Sequence, residues 1–512
     1  MFSIGRQTGR GWGIAALVLA VGAAGCDSLL EVDLPAAVTS DALDNAGSAP
    51  ILVNAVMAQF ECGYSSFLMD ASGYEDNFQM VSGVAGNYSQ YASSAGGGQC
   101  DTDAYSQEWI DPFLIARAQG ADTYNKMVND WGSTQKLIGT DAFYVAAILD
   151  VFGEYFCEAA ISTLTTDGGF LTPTNTLDSA EAWVQRTLDA VTANGGDFAI
   201  TTAAGTHTTS IQTAALGLRA RIRWARNGAG DLAAAAADAA LVPDGHKSLV
   251  LREAGEKRRN MVSVFQSGGA GIQSAGFLQG PVKLKSASNT YGITTLGSHP
   301  NGTAWTSPLP FTGYLGLSIV SATGEAVIGG VPVDTTVAGT VRDTRVAYAR
   351  KNTAGGLDNV PQRYPNDTDD IPLINWKEMR LIRAEAAGNT AAGIAHVNAV
   401  RAADSLPLIQ GAYETTLLGD ADAYQDLLIE ERRRALFEEG RFWSTKIRWN
   451  EKLWFPRSVG DLINTSASYT FGGGVRILFD ANEYQVNTNW VAQGGLAARG
   501  TGCDPYEAPV GF

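Results

Sequence analysis

Three observations predict a mainly α-helical protein that carries a loop-rich binding lobe with short strands. Apolar residues recur with helical period in many segments that end on Gly, Asn or Pro. Two of those segments are helix–turn–helix pairs with small-residue faces. Between the helical stretches run segments dominated by Gly, Ser, Thr, Asn and aromatic residues, with turn chemistry instead of a helical stripe. The chain has 512 residues, 45% hydrophobic and 17% charged, which suits a large core and excludes disorder and a collagen-like repeat. Its net charge of −17 disfavours sequence-blind nucleic-acid binding, which needs Lys and Arg along a groove.

The N-terminus predicts the compartment. Arg6 and Arg10 precede a short apolar run from Trp12 to Gly22, then Ala23-Ala24-Gly25-Cys26. A positive start, a short apolar stretch and a small-residue site form a secretory signal, too short for a membrane span. Cysteine at the cleavage point reads as a lipobox, so residues 1–25 are expected to be removed and Cys26 to be acylated. The expected result is a lipid-anchored body, residues 26–512. Asp27 leaves the membrane leaflet open.

The mature chain divides by period. Residues 27–48 read as an exit segment and residues 50–60 as a helix; residues 61–100 change to turn residues and aromatics. Residues 104–160 and 178–194 return to helix, the latter stopping at Asn194-Gly195-Gly196. Residues 211–243 form the clearest pair: one helix over 211–226, a turn at Asn227 to Gly230, and a second helix capped by Asp231 and ended by Pro243. A second pair is expected at 376–403 around Gly388-Asn389. Residues 286–324 hold no charged side chain and read as loops and short strands, whereas 423–440 read as one long charged helix and the tail from 455 as loops. The helical scaffold is thus placed at roughly 104–250 and 376–455, and the loop-rich lobe at roughly 60–100 and 260–370.

Besides Cys26, the cysteines are Cys62, Cys100, Cys157 and Cys503. An even number in an oxidising compartment makes all four disulfide candidates. Three pairings are open; Cys62 with Cys100 is favoured because it closes a Gly-rich aromatic segment. Zinc is the competing reading, set aside because no C-x-x-C pair exists and there are only four His. No H-E-x-x-H, G-x-S-x-G or phosphate-binding loop occurs. Asp367, Asp369 and Asp370 lack the glycine and distal glutamate of a calcium loop and read as a turn. The Glu430–Arg441 cluster, with Glu430 and Arg434 four residues apart, reads as an ion network tying helices together. No enzymatic activity, cofactor or metal is expected.

Several segments, in order, resemble the SusD/RagB family of outer-membrane lipoproteins. Cys26-Asp27-Ser28-Leu29-Leu30-Glu31 is similar to the family's opening, and Phe152-Gly153-Glu154 to its Phe-Gly-Asp turn. Glu378 to Asn398 with Arg401 resembles its "AEA" helix pair. The fullest match is Glu430 to Trp449, EERRRALFEEGRFWSTKIRW, in which Ala435 stands where the family has Glu. The resemblance implies tetratricopeptide-like helix pairs, a loop-rich binding face, and a partner: a SusC-like TonB-dependent transporter. It implies capture of glycans or other nutrient oligomers, peptides included, at the outer membrane. A glycan-active hydrolase and a scaffold that binds only protein are the alternatives.

Sugar binding calls for a flat ring against the C–H face and polar groups around the hydroxyl rim. Residues 60–91 hold seven aromatics in 32 positions, against 9% for the whole chain, with Asn77 and other polar residues interleaved. The uncharged 286–324 stretch adds Trp305 and Tyr314. Tyr74, Trp305 and Tyr314 are the preferred ligand contacts, followed by Tyr64 and Asn77.

Overall fold

A computed structural model describes residues 43–75, 79–80, 107–164, 166–200, 209–254, 259–267, 272–273, 319–320, 326–328, 331–332, 345, 348–353, 356–406, 408–449, 476–479 and 481–500. Residues 1–48 group as one unit and 49–512 as another. In the first, a 3-10 turn covers Ala46–Ser48.

The described part of the second unit is mostly helical. In chain order the helices are α1 (Ala49–Tyr74), α2 (Gln107–Asn129), α3 (Gln135–Tyr155), α4 (Pro173–Ala193), α5 (Ile211–Arg226), α6 (Asp231–Ala239), α7 (Met261–Ser267), α8 (Trp376–Ala387), α9 (Ala391–Ala403), α10 (Gly411–Gly419), α11 (Ala421–Ala435), α12 (Arg441–Arg448), α13 (Ala481–Val486) and α14 (Thr488–Ala492). The strands are short: β1 (Gln79–Met80), β2 (Ala159–Ala160), β3 (Phe170–Leu171), β4 (Lys247–Val250), β5 (Ile272–Gln273), β6 (Ile319–Val320), β7 (Ala326–Ile328), β8 (Val331–Pro332), β9 (Tyr348–Thr353), β10 (Gly356–Pro361) and β11 (Ile371–Asn375). Among the described residues no helix is long and apolar enough to cross a membrane.

Each helix from α1 to α6 packs on the next, and α8 continues the series by packing on α6, α9 and α11. Local chemistry sets the boundaries. Ser210 accepts the Thr213 N–H at 2.9 Å to start α5, and Asn227 ends it in the left-handed region at φ 57°. Gly230, at φ 84°, is the residue that precedes α6. Asp231, expected as the cap, is instead the first helical residue; its carboxylate turns back to the Gly228 N–H at 2.8 Å and to the Arg226 guanidinium. Asn375 and Thr390 cap α8 and α9 through the N–H groups of Lys377 and Gly393. Gly393 also lets the second pair approach closely, because a Cβ there would overlap the Gly388 carbonyl and the Tyr424 hydroxyl.

Among the described residues three apolar clusters result. The largest joins α1 to α5 with β11, Trp443, Phe479, Tyr484 and Trp490. A second lies among α8, α9, α10 and α11, and a third between α5, α6 and α8.

Four expectations change. The helix expected at 50–60 runs on to Tyr74, into the segment read as loop. Phe60, Tyr64 and Phe67 are spaced as one helical face and lie 0–1% exposed in the core. Gly63, Ser65, Ser66 and Gly73 resemble turn residues, but packing on α2, α3 and α12 overrides that local signal. The helix expected at 178–194 starts earlier, at Pro173, because Thr172 caps it and proline suits the first turn. The long charged helix expected at 423–440 ends at Ala435; Glu438 (φ 58°) and Gly440 (φ 73°) turn the chain before α12. The tail holds α13 and α14, and its Phe479, Tyr484 and Trp490 are core residues.

The favoured disulfide also falls. Cys62 is a free thiol, half-buried within α1, so Cys62 and Cys100 are not paired. Cys157 is disulfide-bonded. Cys26, Cys100 and Cys503 lie outside the described residues.

Candidate functional site

The residues chosen as ligand contacts divide into three groups. Tyr64 is 1% exposed, and its ring stacks on Phe60 at 5.3 Å and leans on Phe67 at 5.8 Å. It is a core residue, unavailable to a ligand on the surface, because helical spacing turns it inward. Tyr74 is the last residue of α1. Asn77, Trp305 and Tyr314 lie outside the described residues.

The structure nevertheless pairs a strand of the first aromatic stretch with a strand that precedes the second in sequence. β1, just after α1, pairs antiparallel with β5, just after α7, in the register Gln79↔Gln273 and Met80↔Ile272. The pair is antiparallel, so the chain runs on from β1 and from β5 at opposite ends of it. β5 also contacts β10, and α7 packs on α1, β5 and β10.

The base of the long insertion is pinned on both sides. Ser65 on α1 donates to the Arg259 carbonyl at 3.0 Å and accepts the Met261 N–H at 2.7 Å. Asn260 is fully buried; its N–H reaches the Asp367 carbonyl at 2.6 Å and its Nδ2 the Asp369 carbonyl at 2.9 Å. Asp370 accepts the Arg252 N–H at 2.7 Å, next to the β4–β11 pair. The run Asp367 to Asp370 is thus the turn expected, and it clasps the two ends of the insertion. Ser65 and Asn260 carry no sequence signal for this role, since each bond spans more than a hundred residues.

Glu75, directly after Tyr74, ties this corner to the scaffold. One carboxylate oxygen accepts the Phe442 N–H at 2.7 Å and the Trp443 N–H at 3.2 Å, so Glu75 caps α12 from a distance. Burial pushes its carboxyl up to about 7, opposed by those two N–H bonds, Arg441 and Lys446. The folded state then holds a proton that the unfolded chain has released, so this group lowers stability as pH rises from the ordinary carboxylate range toward about 7. Glu75→Gln is expected to flatten stability against pH across that window relative to wild type, in urea titrations at stepped pH. Glu75→Ala is expected to lose about 1–2 kcal/mol through the missing cap.

Behind this corner lies a buried charge network. Arg441 reaches both Glu154 oxygens at 3.0 Å. Arg221 binds Glu378 at 2.6 Å and the Leu373 carbonyl at 2.6 Å, with Asp150 at 3.8 Å. Arg345 and Arg401 share Glu431 at 2.6 and 2.8 Å, Arg434 holds Glu430 at 3.0 Å, and Asn375 and Arg363 bind Glu439. Burial raises Glu378, but Arg221, Arg441 and Arg432 outweigh it and hold the carboxyl below its ordinary value. Glu154, Arg221, Glu378, Arg401, Glu431 and Arg441 are 0–3% exposed, so the cluster is a helix tie, closed to a substrate in solution. Arg432, the first of the three consecutive arginines 432–434, is buried against the Trp224 ring at 3.8 Å.

The same network joins the motifs that carried the family resemblance: Glu154 of the 152–154 turn, Glu378 and Arg401 of the 378–401 pair, and Glu430, Glu431 and Arg441 of the 430–449 stretch.

No family model matches the chain. A SusD superfamily protein from Parabacteroides distasonis superposes with a TM-score of 0.55 over 88% of this chain and 98% of its own, at 13% identity. The chain has the SusD fold. A structure described as a chitin-binding protein shares that fold at TM-score 0.55 and 13% identity, covering 87% of this chain and 95% of its own. A SusD-like carbohydrate binding protein from Bacteroides vulgatus shares it at 0.51 and 12% identity, covering 87% and 97%. In sequence, the SusD-like protein P38 of Formosa agariphila is 32% identical over 92 residues. That stretch is 17% of this chain and 18% of P38, under a fifth of the curated relative's length.

Proposed function

We propose that this protein is a SusD/RagB-family, lipid-anchored binding protein of the outer membrane. In this reading it captures glycans or other nutrient oligomers and passes them to a SusC-like TonB-dependent transporter, without chemical turnover. The observation that carries the reading is the SusD fold itself, in which β1 and β5, strands that adjoin the two aromatic, polar stretches in sequence, pair with each other. Rings that cover the C–H face of a sugar and amides that meet its hydroxyls are the chemistry those stretches supply. Two solved proteins of the same fold are described as chitin-binding and carbohydrate-binding, which supports a glycan over a peptide. The lipobox at Cys26 supports the anchor. The buried state of the carboxylates in the Glu430–Arg441 region supports a binding role over hydrolysis.

The test is a panel of glycans and peptides read by calorimetry. Trp305→Ala and Tyr74→Ala are each expected to weaken binding of the active glycan about tenfold, the loss of about 1.4 kcal/mol for one ring contact. Wild-type affinity in both variants would remove these residues from the site. Turnover of the bound oligosaccharide would replace the capture reading with a hydrolase. Stable co-purification with a transporter but no ligand in the panel would favour the protein-binding scaffold. Palmitate labelling that disappears in Cys26→Ala tests the anchor.

A further inference from the structure

Cys157 is disulfide-bonded and fully buried just after α3, while Cys62 is a free thiol. The partner of Cys157 is therefore Cys26, Cys100 or Cys503. The packing around Cys157 separates the three. Its N–H donates to the Ile477 carbonyl at 2.8 Å, and the Ile477 N–H donates to the Tyr155 carbonyl at 2.7 Å. The Arg476 guanidinium adds bonds to the Gly153 and Glu154 carbonyls at 3.0 and 2.9 Å. Residues 476–479 are thus held alongside the end of α3.

The chain returns to this segment shortly before Cys503. Arg499 donates to the Phe479 carbonyl, through Nε at 3.2 Å and Nη2 at 2.8 Å. A Cβ on Gly500 would stand 3.3 Å from the Leu478 side chain. A second line of contacts leads to the same place. The Arg499 guanidinium lies 5.7 Å from the Tyr484 ring, and the Tyr484 hydroxyl donates at 2.6 Å to Glu158, the neighbour of Cys157. Cys157 and Gly500 therefore both pack on residues 477–479. Cys503 follows Gly500 by three residues, a reach of about 10 Å. Cys100 stands seven residues before α2, a longer tether with a lower effective concentration at its far end. Cys26 is the expected acylation site, which spends its thiol.

We propose that Cys157 and Cys503 form a disulfide that fastens the chain beyond Gly500 to the end of α3, beside the Phe152-Gly153-Glu154 turn. Two thiols close into one disulfide by giving up two protons and two electrons; the acceptor is an exchanging protein disulfide, which becomes a dithiol. The resulting ring encloses α4 to α14, so the bond restricts the unfolded chain. The pairing rests on the packing around Cys157 and holds whatever ligand the protein binds.

Tryptic mapping tests it on the full chain, exported to an oxidising compartment, purified without reductant and alkylated with iodoacetamide before cleavage. Arg10 and Arg117 enclose no other Lys or Arg, so Cys26, Cys62 and Cys100 fall on one peptide. Cys157 falls on the peptide 137–186 and Cys503 on the one that begins at Gly500. The expected result, in protein that runs as a monomer without reductant, is a mass equal to the 137–186 and 500–512 peptides joined less two hydrogens, which separates on reduction. Cys100→Ser is expected to keep that linked mass. Reductant is expected to lower the urea midpoint of the wild type and to leave that of Cys157→Ser combined with Cys503→Ser unmoved. A 137–186 peptide joined to the Cys26, Cys62 and Cys100 peptide, an alkylated Cys157, or loss of the linked mass in Cys100→Ser overturns the proposal.

Discussion

Glu378→Ala is expected to cost about 3–5 kcal/mol of folding stability, the range for removing one partner of a buried ion pair. Glu378 is fully buried and takes three hydrogen bonds from Arg221, the shortest 2.6 Å, with Arg432 at 3.8 Å. Its loss leaves the Arg221 guanidinium in the interior with Asp150 at 3.8 Å as its remaining ion-pair partner. Most of the cost is that stranded charge. Glu378→Ala combined with Arg221→Met is therefore expected to be more stable than Glu378→Ala alone, because an apolar side chain carries no such penalty. Acid should act in the same direction. The Glu378 carboxyl lies below its ordinary value in the fold, so its contribution is present at neutral pH and is lost as pH falls through that lowered value. Urea titration with an unchanged slope measures the difference. A change under about 1 kcal/mol for Glu378→Ala would show that the network does not tie the helices.

Trp224→Ala is expected to cost about 3–5 kcal/mol, the range for emptying a buried tryptophan site. Trp224 is fully buried where α5 meets α6 and α8. Arg432 stands over its ring at 3.8 Å and Arg448 at 4.7 Å, and its indole N–H donates to Glu385 at 2.5 Å. Glu385 in turn accepts from Arg448 at 2.6 Å. Truncation therefore removes the packing, two cation–π contacts and one charge-assisted bond together. Trp224→Phe keeps a ring and loses the N–H, so it is expected to fall between wild type and alanine. Equal losses in both variants, read by urea titration, would place the whole effect on the Glu385 bond.

Both predictions rest on residues that the family resemblance singled out or packs against. The Glu430 to Trp449 stretch reads as an ion network from spacing alone, because charges three and four apart share a helix face. Which distant residue answers each charge was not legible. Glu154 is 287 positions from Arg441, and Arg221 is 157 from Glu378. The candidate binding stretches show the reverse case. Their composition marks aromatic and polar content, but composition does not tell a ring on a loop from a ring on an inward helix face. Tyr64 proved to be the latter once α1 was seen to run on to Tyr74. Glu75, Ser65 and Asn260, which anchor that corner, had no local signal.

By itself the sequence determined the helical class, the two helix–turn–helix pairs, the turn at 367–370 and the ionic character of the 430–441 region. Those features are set by short-range periodicity, capping chemistry and charge spacing, which act within a few residues. The tertiary structure alone decided the length of α1, the free state of Cys62, the partners of the buried arginines, and the meeting of β1 with β5. Each of those depends on contacts between segments far apart in the chain, and their energy exists only when both sides are in place.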